Sequence, residues 1–209
     1  HRAGNLRAVG DAQIDMAVLG PAVRRRLVTA AIACLVTAAP AHAQTSTAPL
    51  EDSVKAVFLF NFVQFVEWPE SAFAHADAPL VLCVLGTDPF GETLDQTIAG
   101  ESSQNHKLVV RRPRGTIELD ACHLLFVSRS EAGKLDKVLP TLRHSAPVLS
   151  VSDIDGFVAA GGTIGFYLDR NRIRFEINPS HAQRHGLKVS SQLLGLGRIL
   201  ESNPKGGAP

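Results

Sequence analysis

Pro79-Leu80-Val81-Leu82-Cys83-Val84-Leu85-Gly86 is the stretch on which the fold turns. A short, continuous apolar run that ends in Gly, with no polar alternation, predicts a strand covered on both faces, as strands of parallel sheets are. Working outward from it, Asp88-Pro89 predicts the cap of a helix running through Ile98 and stopped by Gly100. Lys107 to Arg112 predicts a second strand, Cys122 to Ser128 a third, and Pro147 to Val151 a fourth. Between the last two, Ser130 to Leu142 predicts a helix with Leu135, Val138, Leu139 and Leu142 on one face. Strands alternating with helices argue for an α/β fold: a single layered domain with a mostly parallel central sheet and helices on both faces.

The C-terminal part changes rhythm. Thr163 to Leu168, a turn at Asp169 to Asn171, and Arg172-Ile173-Arg174-Phe175-Glu176-Ile177 predict an antiparallel hairpin at the sheet edge. Arg172, Arg174 and Glu176 fall on one face of that hairpin and Ile173, Phe175 and Ile177 on the other. Asn178-Pro179 opens a short helix, and a last helix is expected from Ser190 to Leu200. At the other end, Val54, Val57, Phe58, Asn61, Phe62, Phe65 and Val66 recur at helical steps until Pro69. Leu59, Phe60 and Val63 make this helix apolar around most of its circumference, so it is buried on two sides or covered by a partner subunit.

The first 43 residues read as targeting sequence. Met16, Arg24-Arg25-Arg26, an apolar run from Leu27 to Ala39 and Ala41-His42-Ala43 have the order of a secretory signal peptide over 16–43, with residues 1–15 read as an over-extended start. The apolar run of about 13 residues falls short of the roughly 20 a membrane-spanning helix needs. A lipoprotein cleaved at Cys34 is the other alternative. The domain is thus expected over 44–209, exported, with a small net negative charge in place of the +1 of the whole chain. That balance gives no footing for nucleic-acid binding through phosphate neutralisation.

Sequence features of catalysis are absent: there is no G-x-S-x-G, G-x-x-x-x-G-K, H-E-x-x-H or C-x-x-C. His181 and His185 have the four-residue spacing of zinc ligands but no evident third partner, and the alternative is a pair of solvated imidazoles. Asp153 and Asp155 follow the fourth strand, where α/β sheets place ligand groups, although Ser152-Asp153 also suits a helix cap. Cys83 and Cys122 can form a disulfide if the first and third strands are neighbours; otherwise they are small, reduced core residues. The charged hairpin edge beside the apolar first helix is either a solvated stripe or a docking surface for another protein.

Six blocks resemble the YfiR family (YfiR/HmsC-like): Asn61 to Pro69, Leu82 to Gly91, Cys122 to Ser128, Gly161 to Phe166, Arg172 to Asn178 and Ser190 to Leu194. The resemblance implies a non-catalytic periplasmic regulator without a cofactor. Such a protein binds and represses the periplasmic sensor portion of an inner-membrane diguanylate cyclase (YfiN-like), lowering cyclic di-GMP and biofilm formation. It further implies a homodimer and an outer-membrane lipoprotein (YfiB-like) that sequesters the regulator. Cys83 and Cys122 match one family cysteine pair; a second, C-terminal pair has no counterpart, because no Cys follows Cys122. Partner contacts are expected from Phe62, Arg172, Arg174, Phe175, Glu176 and Asn178. The alternative function is a periplasmic small-molecule binding protein.

Overall fold

The computed structural model describes residues 48–144 and 147–200; the expected signal peptide and the stretch before it lie outside the described residues. Helix α1 (Ala48–Phe65) leads through a short strand β1 (Val66–Glu67) to the central strand β2 (Leu80–Leu85). Next come α2 (Glu92–Ile98), β3 (Ser102–Ser103), β4 (His106–Arg111) and β5 (Leu124–Val127). Then follow α3 (Leu135–His144), β6 (Leu149–Ser152), α4 (Phe157–Ala160) and the hairpin strands β7 (Ile164–Asp169) and β8 (Arg172–Ile177). The chain closes with α5 (Pro179–Arg184), β9 (Lys188–Val189), α6 (Ser191–Leu196) and β10 (Arg198–Ile199).

Eight strands make one sheet in the order β10-β8-β7-β6-β5-β2-β4-β3. Strands β4, β2, β5, β6 and β7 run parallel, and β7–β8 is antiparallel. All six residues of β2 are buried, and the strand's period of two sends them alternately to two cores. Leu80, Leu82 and Val84 join α1 and α2 on one face, while Val81, Cys83 and Leu85 meet α3 and Phe157 of α4 on the other. Cys83 and Cys122 are bonded on this second face, with Cα atoms 5.8 Å apart and a sequence separation of 39.

Four local expectations change. Asp88 does not cap α2: its Oδ1 accepts from the Phe90 N–H in a tight turn, and the helix begins four residues on, at Glu92. Residues 129–134 form a 3-10 helix before α3 rather than its first turn. Asp153 caps no helix either, since α4 starts from Gly156. The last helix stops at Leu196, because Gly197 packs its backbone onto the Phe175 ring where a side chain would collide. The chain then extends as β10, pairing Arg198 and Ile199 with Glu176 and Ile177. The hairpin is therefore the sheet edge only in its outer part.

Candidate functional site

The outer part of the hairpin leaves the sheet. Strand β7 pairs with β6 only at Ile164 and Gly165, and β8 pairs with β10 only at Glu176 and Ile177. From Phe166 to Phe175 the two strands hold only each other, through Phe166↔Phe175, Tyr167↔Arg174, Leu168↔Ile173 and Asp169↔Arg172. Arg170 and Asn171, with φ of 48° and 60°, close the ribbon in the left-handed conformation that suits its right-handed twist.

One face of the ribbon is apolar and turned to α1. At its base Phe166 and Phe175 interlock with Phe58 and Phe62, with ring centroids 5.1–5.8 Å apart across the two elements. Toward the tip, Leu168, Ile173, Leu50, Val54 and Phe58 line an open groove of about 380 Å³, bordered by Glu51, Asn171 and Arg172. Leu50 is 71% exposed and Leu168 58% exposed, and Val57 on α1 is half exposed. An apolar helix whose outward side chains meet an apolar ribbon in solvent has the character of a contact surface rather than a finished core.

The opposite face of the ribbon is charged. The Arg198 guanidinium pairs with Glu176 and stacks 4.5 Å above the Tyr167 ring. The hydrogen bond that Arg198 donates to Glu176 raises the arginine's pKa above its ordinary value. With Glu176 neutralised, Arg172 and Arg174 are the exposed charges of β8, and among the described residues neither enters an ion pair. The tip is therefore basic.

The α1 wall of the groove is held by a buried cation. Lys55 is 4% exposed, and its Nζ lies 2.9 Å from Asp153 Oδ2, 3.0 Å from Glu51 Oε1 and 3.8 Å from Asp52 Oδ1. Burial alone would lower the lysine's pKa, but the hydrogen bonds it donates to Asp153 and Glu51 outweigh this and raise the value. Burial raises the Asp52 pKa despite the neighbouring Lys55. Asp153, from the loop after β6, thus fastens the first turns of α1 to the end of the parallel sheet.

Of the six residues expected to meet a partner, only Arg172 and Arg174 are on the surface. Phe62 is fully buried and Phe175 is 3% exposed, both within the aromatic cluster. Glu176 is covered by β10 and engaged by Arg198. Asn178 is 2% exposed and caps α5, its side-chain oxygen accepting from the His181 N–H while its own N–H donates to Thr163 O. Leu50, Val54, Leu168 and Ile173 were not among the expected contacts. Their signal was an apolar stripe that continues to the last rung of the hairpin and the first turn of α1. His181 is also buried, with Nδ1 2.7 Å from the Gly162 carbonyl, and His185 closes the C-terminus of α5. No group of three or more His, Cys, Asp or Glu is arranged for a metal among the described residues.

Comparison with known proteins gives one family: the model described as YfiR/HmsC-like matches residues 52–198. A conserved domain protein of Vibrio cholerae O1 biovar eltor is similar in structure, with a TM-score of 0.48 and 9% sequence identity. The likeness covers 71% of this chain and 59% of that one, so the chain spans less than two thirds of that protein's length. No curated protein matches the chain in sequence.

Proposed function

The chain belongs to the YfiR/HmsC-like family, and from that membership we propose a non-catalytic periplasmic regulator. It binds the periplasmic sensor portion of an inner-membrane, YfiN-like diguanylate cyclase and represses it, lowering cyclic di-GMP and biofilm formation. The observation that carries this reading is the open groove between α1 and the hairpin, apolar within and basic at its tip. Repression follows from linkage: a domain that binds only the inactive arrangement of the sensor shifts the population by its preference between the two states. Placement in the periplasm is supported by the leader-like N-terminal sequence and by the buried Cys83–Cys122 disulfide, a bond that persists in oxidising compartments. Among the described residues no helix is long and apolar enough to cross a membrane. A homodimer, and a YfiB-like outer-membrane lipoprotein competing for the same groove, complete the reading.

The test is co-purification of the full chain, expressed with its own leader and a C-terminal tag, from detergent-solubilised membranes. A diguanylate cyclase with a periplasmic sensor is expected in the wild-type eluate, identified by mass spectrometry and by cyclic di-GMP synthesis. It is expected to be lost with Val54→Asp or Leu168→Asp while thermal stability is kept. Capture of no cyclase, or equal capture by both variants, overturns the proposal.

A further inference from the structure

A second cavity shares no lining residue with the groove. In open α/β sheets the crevice for ligands opens at the C-terminal ends of the strands where the strand order reverses. Here β2 is that strand: the chain leaves it for β4 on one side and returns to β5 on the other. The ends of these three strands and the segments that follow them border an open cavity of about 550 Å³, well within the range of small-molecule sites. Its lining is Leu85 and Gly86 after β2, Arg112 to Gly115 after β4, and Glu131, Lys134, Lys137 and Val138 after β5.

The walls are preformed. Ser130 Oγ accepts from the Thr87 N–H at 2.8 Å, tying the loop after β2 to the loop after β5. Gly86, with φ of 93°, presents bare backbone, and a side chain there would collide with Ser130 and Glu131. Arg112 is spent on the scaffold: its Nε is 2.7 Å from Asp88 Oδ2, and its terminal nitrogens hold Asp95 and the Gly91 carbonyl. The Arg112 hydrogen bond in turn lowers the Asp95 pKa. Lys134 is matched by Glu131 at 2.9 Å. Arg114 on one wall and Lys137 on the other enter no ion pair among the described residues.

We propose that this crevice binds a small organic anion, its carboxylate or phosphate group held between Arg114 and Lys137 over the Gly86 backbone. Two cations lining one cleft can hold an oxyanion by charge-assisted hydrogen bonds, and the arginine binds either group in a bidentate fork. The apolar remainder of the ligand rests on Leu85 and Val138.

Titration calorimetry of the full chain at low ionic strength, with inorganic phosphate, pyrophosphate and citrate as probes, tests this directly. Saturable binding of at least one probe is expected, weakened roughly tenfold or more by the double variant Arg114→Glu/Lys137→Glu. Phosphate or pyrophosphate binding alone assigns a phosphorylated ligand, and citrate binding alone assigns a carboxylate. Both residues are exposed, so the melting temperature without probe is expected to be unchanged, and Lys137→Gln provides a milder second variant. No saturable binding of any probe, or equal affinity in the double variant, overturns the proposal.

Discussion

Strand β2 is apolar on both faces and the outer half of the hairpin on one, yet the first is finished and the second is open. Strand β2 has parallel neighbours on both edges, helices on both faces and a disulfide at its middle. The ribbon from Phe166 to Phe175 has one partner strand and one helix, and its apolar face runs past that helix into solvent. Both bury what their surroundings cover; the difference is only in the supply of cover. A stripe that is core at Phe166 and surface at Leu168 shows that the contact surface is a continuation of the core beyond the point where the sheet stops.

The comparison breaks most sharply at two residues of similar character. Phe62→Ala empties a fully buried site in the aromatic cluster and is expected to cost about 3–5 kcal/mol in urea denaturation. Leu168→Ala removes a side chain that is 58% exposed, and its effect is expected to stay within about 0.5 kcal/mol. Equal losses would show that the groove is closed in solution and that Leu168 belongs to the core.

The disulfide sharpens the same contrast. Its sequence separation of 39 residues corresponds to about 4 kcal/mol on the chain-entropy model. The Cys83→Ala/Cys122→Ala variant is expected to lose most of this stability, because both residues lie at 2% exposure or less and the bridge joins β2 to the start of β5. Cyclase capture by the fraction that remains folded is expected to be unaffected, since no groove residue touches the bonded face. Loss of capture at unchanged stability would place the redox state in control of the groove instead.

What the sequence made legible was what local pattern dictates. The unbroken run Leu80 to Leu85 required cover on two faces, whereas the pairing of β2 with β5 that sets Cys83 near Cys122 was only one of two readings until the sheet order was seen. Alternation in Arg172 to Ile177 placed Glu176 on the polar face correctly. It could not show that Arg198, 22 residues later, arrives there as part of β10 and buries it. Nor could local pattern show that Lys55 finds Asp153 across 98 residues, or that β6 ends after two rungs with β7 and releases the ribbon. The expected partner contacts followed the charged hairpin edge and the apolar first helix; the fold places Phe62 and Phe175 in the aromatic cluster, Glu176 beside β10 and Asn178 at the cap of α5. The groove depends on where pairing stops, and that is a property of the whole sheet.

The smallest effect concerns pH and belongs to the finished region. His123, just before β5, is 7% exposed; its Nδ1 accepts from the Val81 N–H at 3.1 Å and its Nε2 lies 3.2 Å from the Ala72 carbonyl. That pattern fixes the neutral imidazole with the proton on Nε2, stacked on Phe73, whose ring also stacks on His106. Burial lowers the His123 pKa, the bond to Ala72 opposes this, and the nearby His106 adds to the lowering. The unfolded chain therefore takes up the proton at higher pH than the folded one, and stability falls as pH drops below the ordinary histidine value of about 6.5 and through the folded value. The His123→Gln variant is expected to be less stable at neutral pH but to show a flatter decline over that window in paired melting curves. Its groove is expected to capture the cyclase normally once folded, because the protonation site supports β2 and not the ribbon. A wild-type decline no steeper than the variant's would mean that His123 keeps an ordinary affinity for its proton, and that water reaches this part of the core.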